Sequence, residues 1–192
     1  MLEAEFLYNT AGTGLFCHGG SLLRTMAGDL LAAWYAYPDV EHAGATLVMA
    51  RRPAGAAAWK PSETPLPPSV YSQGNPVLFE EPSGRLWLLF VLVEGRYWTD
   101  AVLHGVSSTD GGRSWSPPAM LVPRRGLMVR HPPMPLADGT WLLPAYDELR
   151  HQSVLMGGRP PFTAWQEVFT FEDMRLIQPA LVREGERLTL LF

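Results

Sequence analysis

Tyr146-Asp147-Glu148 sets a phenol beside carboxylates, groups able to hold or move a proton, and it is the most acidic spot among the candidate site residues. By itself the tripeptide is weak evidence. Arg130-His131 is the strongest basic pair; it suits an anion, or it belongs with Arg124 and Arg125 to a solvated loop. His18, after Cys17, reads either as a ligand contact or as a satisfied inner-strand histidine. Asn75, before Pro76, either meets a ligand or only shapes a turn. Asp39, Glu41 and His42 can supply a general acid if a half-closed pocket tunes one of them, and otherwise form a polar loop. Gln178 completes the set. These residues are scattered along the chain, so their chemistry depends on whether the fold gathers them.

The elements that must do so repeat. Gly28-Asp29-Leu30-Leu31-Ala32-Ala33-Trp34, Gly84-Arg85-Leu86-Trp87-Leu88-Leu89-Phe90, Gly139-Thr140-Trp141-Leu142-Leu143-Pro144-Ala145-Tyr146 and Glu186-Arg187-Leu188-Thr189-Leu190-Leu191-Phe192 are copies of one turn-plus-strand unit. Each follows a short apolar run, so each copy reads as a β-hairpin. Inner strands are expected near 18–25, 75–80, 131–136 and 178–183. Third strands are expected at Thr46–Ala50 and Ala101–Val106, and fourth strands beginning near Trp59, Trp115 and Trp165. Ser108-Thr109-Asp110-Gly111-Gly112-Arg113-Ser114-Trp115 fits Ser-x-Asp-x-Gly-x-Ser/Thr-Trp, the Asp-box. It is a turn in which Asp110 accepts backbone N–H groups, Gly112 takes a positive φ and Trp115 buries its ring. A repeat of about 40 to 50 residues is a propeller period; the alternative is a β-sandwich with accidental hairpin similarity.

Composition narrows the classes. Gly and Pro, 18 each, are too many and too dispersed for long helices, and helix is expected in less than about one residue in five. A hydrophobic fraction of 47% supports a packed core, yet no run reaches the roughly 18 residues of a membrane span. Two acids near the start argue against a signal peptide, so the location expected by default is cytoplasmic. The single cysteine, Cys17, excludes an internal disulfide and a Cys-based zinc site; no metal or cofactor is expected. A net charge of −4 without a basic run makes nucleic acid an improbable partner.

Glu3-Ala4-Glu5-Phe6-Leu7-Tyr8, Cys17-His18-Gly19-Gly20-Ser21, Asp29 to Trp34, Gly74-Asn75-Pro76-Val77-Leu78-Phe79, the Asp-box, Leu142 to Glu148 and Leu176-Ile177-Gln178-Pro179-Ala180 together resemble the landmarks of the bacterial BNR-repeat, sialidase-like family of the neuraminidase superfamily. The resemblance runs nearly end to end. It implies an all-β, six-bladed sialidase-type β-propeller, of which this chain covers about three and a half blades. These fall near 17–65, 73–122 and 129–172, with half a blade at 176–192 and residues 1–8 as a strand of the closing blade. Since the chain stops within a repeat, it reads as truncated; missing C-terminal blades, or another chain, would close the ring, and the chain alone is expected to be inactive.

In such a propeller the Asp-box turn lies on the face away from the ligand. His18, Asn75, Arg130, His131 and Gln178 then gather at the funnel mouth, with the loops 35–42, 94–100 and 146–151. Polar and aromatic groups around a concavity suit a sugar. The resemblance implies a glycoside hydrolase acting on a terminal sugar. Glu148 with Tyr146 would stabilise or attack the anomeric centre, Asp39 or Glu41 would protonate the leaving oxygen, and Arg130 with His131 would orient the substrate. The alternative is a noncatalytic BNR-repeat propeller that binds carbohydrate or a protein partner. One departure matters. Sialidases grip a carboxylate with three arginines, the first ahead of the first inner strand, where this chain reads Thr13-Gly14-Leu15-Phe16-Cys17-His18. That favours a neutral or differently charged glycan over sialic acid.

Overall fold

The computed structural model describes residue 5 and residues 7–172 and 175–192. It is 49% strand and 2% helix, the helix being one short 3-10 turn at Trp98–Asp100. No helix among the described residues is long and apolar enough to cross a membrane.

Strands follow one another as antiparallel neighbours. β1 (Phe16–Arg24), β2 (Leu30–Tyr37) and β3 (Thr46–Arg52) form a first sheet, extended by a single bridge between Met49 and Glu63. β4 (Ser72–Glu80), β5 (Leu86–Val93), β6 (Ala101–Ser108) and β7 (Ala119–Arg125) form a second. The third holds β8 (Leu127–Val129), β9 (Met134–Pro135), β10 (Trp141–Asp147), β11 (Gln152–Gly158) and β12 (Gln166–Thr170). There β8 and β9 share one edge of β10 as a broken inner strand. β13 (Ala180–Glu184) and β14 (Arg187–Leu191) make a hairpin. Among the described residues no strand pairs across these sheets, which is the pattern of separate blades.

Successive side chains of a strand face opposite ways, and here both faces are covered. Leu31, Ala33 and Tyr35 of β2 pack with Leu86, Leu88 and Phe90 of β5. From the other face of β5, Trp87, Leu89 and Val91 pack on Trp141, Leu143 and Ala145 of β10. The near-continuous apolar runs of β2 and β5 follow from this burial on two sides. The expected strand over 1–8 falls mostly outside the described residues. Glu5 accepts a 2.8 Å hydrogen bond from Trp59 Nε1, and Tyr8 lies 5.5 Å from the Trp34 ring, so this segment covers the outer face of the first sheet.

The inner strands differ from expectation in one respect that bears on the site. The first three begin earlier, and the site residues interrupt them rather than precede them; the fourth, β13, begins later, at Ala180, with Gln178 ahead of it. In β1 the register steps between His18↔Tyr35 and Ser21↔Ala33, and in β4 between Gly74↔Val91 and Val77↔Leu89, each with an extra residue on the inner strand. Gly19 and Asn75 take positive φ there, 68° and 48°. In the third sheet, Arg130 to Pro133 bulge out between β8 and β9. Glycine and proline break the alternation, and a bulge re-aims the side chains beside it.

Candidate functional site

Arg130 is the hub of the site. Carried on the third bulge, it reaches the first sheet, where its Nη2 lies 2.8 Å from His18 Nε2. His18 Nδ1 lies 2.6 Å from Glu41 Oε1. An arginine donates only, so Nε2 accepts and the Nδ1–H donates to Glu41; this line fixes the neutral tautomer of His18. The His18 ring stacks on Tyr35 at 5.6 Å. Gly19 makes this approach possible, because a Cβ there would lie 2.5 Å from Tyr35 Cε1 and 2.7 Å from Arg130 Nη1. On the other side, buried Asn75 donates from Nδ2 to the Tyr146 hydroxyl at 3.4 Å. Among the described residues Arg130 Nε is buried without an acceptor.

Burial raises the Tyr35 phenol above its ordinary value, Glu41 adds to the rise and Arg130 opposes it. Tyr146 is also raised, first by burial, against Arg130 and with a contribution from Glu148. The Glu148 carboxyl is pushed up by burial; His151 and Arg130 oppose the shift and Asp147 adds to it. Two phenols and a carboxyl therefore hold their protons more tightly than in water, around one guanidinium.

The turn carrying Glu148 is held by Asp147, whose Oδ1 accepts the Leu149 and Arg150 N–H groups at 2.9 and 3.0 Å. The Glu148 N–H donates to the Gly126 carbonyl at 2.8 Å. Buried Asp147 faces Arg124 Nη2 at 3.7 Å, and Arg124 in turn pairs with Glu167 at 2.6 Å. Behind the Asn75 bulge, Gly74 lies against the Trp98 ring, and Trp98 meets Tyr35 edge-on at 5.9 Å.

Of the residues singled out from sequence, Arg130, His18, Glu41, Asn75, Tyr146 and Glu148 come together around this hub. Asp39 is exposed on its loop. His131 turns its Nδ1 to the Pro132 carbonyl at 3.1 Å, and Gln178 is exposed with a positive φ of 61°; neither is tied to the hub. Tyr35 and Trp98 belong to the loops 35–42 and 94–100 expected at the mouth, but the sequence does not single out either as a site residue. A signal for Tyr35 existed: Tyr35 follows Gly28 at the distance at which Tyr146 follows Gly139, so the two tyrosines hold the same place in their repeats. The second repeat has Val91 there, paired with Gly74, and Trp98 occupies the space.

The Asp-box is a turn clip. Asp110 Oδ1 accepts the N–H groups of Arg113 and Ser114 at 2.9 and 3.0 Å, and the Ser108 hydroxyl at 2.7 Å. Those bonds, with the Ser114 hydroxyl foremost, hold its carboxyl far below the usual range. Arg51 of the first sheet pairs with Asp29 at 2.6 Å and donates to the Gly111 carbonyl, tying the turn to the neighbouring sheet. Since Asp29 follows the β1–β2 turn and Arg51 is at the far end of β3, the clip is at the opposite end of the sheets from the hub.

A BNR repeat-like domain matches residues 28–192. No curated protein matches in sequence. Among solved structures, a Hadza microbial sialidase superposes with a TM-score of 0.70 at 17% identity, over 86% of this chain and 39% of that one. A leech intramolecular trans-sialidase gives 0.74 at 13% identity, over 96% and 48%. A Penicillium chrysogenum α-L-arabinanase gives 0.60 at 16% identity, over 90% and 50%. The chain thus spans half or less of the length of each of these three structures. At such identities the likeness establishes the sialidase-type propeller fold and nothing finer.

Proposed function

The chain belongs to the BNR repeat-like family, and on that premise we propose that its funnel binds the terminal sugar of a glycan and hydrolyses its glycosidic bond. The observation that carries this reading is the junction at Arg130, where the Tyr146–Asn75 pair, the His18–Glu41 pair and the Glu148 carboxyl meet. Glycosidases and arabinanases among the similar folds support it.

In the proposed reaction the Tyr146 oxygen bonds to the anomeric carbon as the glycosidic C–O bond breaks. Glu148 takes the phenolic proton; a carboxyl raised above its ordinary value is a stronger base than one in water. A carboxyl of the 39–42 loop protonates the leaving oxygen. Glu41 is drawn to His18, which leaves Asp39 as the acid. Water then attacks the same carbon as its bond to the Tyr146 oxygen breaks; water gives one proton to Asp39, Glu148 returns its proton to the Tyr146 oxygen, and the sugar is released. Arg130 orients the substrate through its charge, with His131 and Gln178 at the rim.

The noncatalytic reading rests on the line of contacts from Arg130 through His18 to Glu41, which suits a fixed binding platform. Turnover of an aryl glycoside panel decides between them. Glu148→Gln keeps size and shape, so binding should persist while turnover falls at least about a thousandfold. A wild-type protein that binds glycans and hydrolyses none of the panel, or an active Glu148→Gln variant, overturns the hydrolase.

A further inference from the structure

Between the first and second sheets, at their funnel-side rim, lies a crevice of about 560 Å³ lined by Val40, His42, Tyr71, Glu94, Arg96 and Tyr97 among others. It is separate from the Arg130 hub and joined to it by aromatic rings. Tyr35 meets Trp98 at 5.9 Å, Trp98 meets His42 at 6.4 Å, and His42 lies 5.4 Å from Tyr97. At its outer end the rings are bare: Tyr97 is 59% and Tyr71 44% exposed.

Tyr97 is held rather than loose. Its N–H donates to Asp100 Oδ2 at 3.2 Å, and its carbonyl accepts the Asp100 N–H at 2.8 Å. Asp100 also accepts the Arg96 N–H at 2.8 Å and pairs with Arg125 at 3.3 Å. Those bonds hold its carboxyl below the ordinary range, the backbone bond from Arg96 foremost. Gly95 packs directly against the Asp100 carboxylate, where no Cβ would fit. An exposed aromatic side chain carried on a tight turn, lining a crevice that also offers a carboxylate, a guanidinium and the Ser72 hydroxyl, suits one ligand class well. The C–H face of a pyranose stacks on the ring while its hydroxyls find donors and acceptors. A purely apolar partner would leave Glu94 and Arg96 unpaired. The volume is within the range of small-ligand sites.

We propose that this crevice is a second sugar position, taking the pyranose next to the terminal one in the funnel, so that the site reads at least a disaccharide. This rests on the carbohydrate reading above. The chain has six tyrosines. Two report the hub (Tyr35, Tyr146) and two the crevice (Tyr71, Tyr97), so 3-fluorotyrosine labelling with fluorine NMR watches both places at once. Tyr→Phe variants assign the signals.

The probes are methyl glycosides of the common monosaccharides and the matching disaccharides. The expected result is that methyl glycosides shift only Tyr35 and Tyr146, whereas a disaccharide also shifts Tyr71 and Tyr97 and binds about five- to tenfold tighter. Tyr97→Ala should return the disaccharide to monosaccharide affinity without changing the latter, and Tyr97→Phe should keep the gain. Disaccharides that shift the hub alone, or bind no tighter than their methyl glycosides, overturn the crevice and leave the funnel reading standing. A panel that shifts none of the four signals overturns both.

Discussion

Gly19→Ala tests the construction of the hub at its tightest point. The native φ of 68° lies in the left-handed region, where an L-side chain costs about 1–2 kcal/mol. The new methyl would stand 2.5 Å from Tyr35 Cε1 and 2.7 Å from Arg130 Nη1. The arginine can swing away, but only by giving up its 2.8 Å contact with His18. Tyr35 is 1% exposed between packed sheets and cannot. Overpacking a buried ring costs about 1–3 kcal/mol more. The sum is about 2–5 kcal/mol; with a urea m-value of about 2–3 kcal/mol/M, the midpoint should fall by about 1–2 M. Gly20→Ala is the internal control. It has no positive φ and nothing within 4 Å of its added Cβ, so it should stay within about 0.5 kcal/mol of wild type. Urea unfolding of the three proteins, with imidazole nitrogen shifts of His18 as a second readout, checks the reasoning. Equal midpoints for the two variants, or an unchanged His18 tautomer signal in Gly19→Ala, would refute the placement of Arg130 against the first bulge.

Asp110→Ala should lower Tm and leave the ligand affinity of the folded fraction unchanged, because the clip is remote from the hub; calorimetry and titration on the same samples check both, and loss of binding at full stability would reverse the two faces. Its carboxyl is held well below the ordinary 3.8 by Ser114 and the turn N–H groups, so the stability it contributes is present above that value and is lost as pH falls through the folded one; an Asp110→Asn variant should lack that acid-side loss. Glu148 has the opposite sign. Its folded pKa lies above the ordinary 4.5, so the stability linked to its proton is full below that value and declines as pH rises through the folded one. Glu148→Gln should gain on wild type in urea midpoint from about pH 4 to about pH 7, and a constant gap would show the carboxyl to be unperturbed. Arg130→Ala should weaken anionic sugars more than neutral ones in titration calorimetry, and Arg130→Lys should not restore the His18 contact, since an ammonium lacks the planar reach of a guanidinium; equal loss for both sugar classes would count against a charge role.

The fold was legible because the repeat writes it several times over. One Asp-box and four copies of a Gly-turn-apolar unit specify hairpins, and hairpins apolar on both faces can only be stacked. The strand bounds were off where sequence alternation stops at Gly19-Gly20, Asn75-Pro76 and Pro132-Pro133. These read as residues ahead of a strand because a bulge leaves no periodic trace; it is defined by the partner strand's count, which a single segment does not contain. Six of the candidate residues come together around Arg130 for the same reason that the strand bounds differ, while Asp39, His131 and Gln178 stand apart. Residues that break a pattern in the same place in successive repeats are held there by something other than strand propensity, and in a propeller that place faces the funnel. Within the loops expected at the mouth, Tyr35 does not stand out because it continues an apolar run, Leu30 to Tyr37, that looks like core, and Trp98 does not because its partner, Gly74, has no side chain to announce the gap. Three repeats fill one position around the hub in two ways: Tyr35 and Tyr146 in the first and third and, in the second, Val91 with Trp98 leaning in. Packing alone would tolerate the same residue in every copy. The second repeat departs from the other two at that position while its hairpin keeps their pattern, so the scaffold stays constant and only the group facing the hub changes.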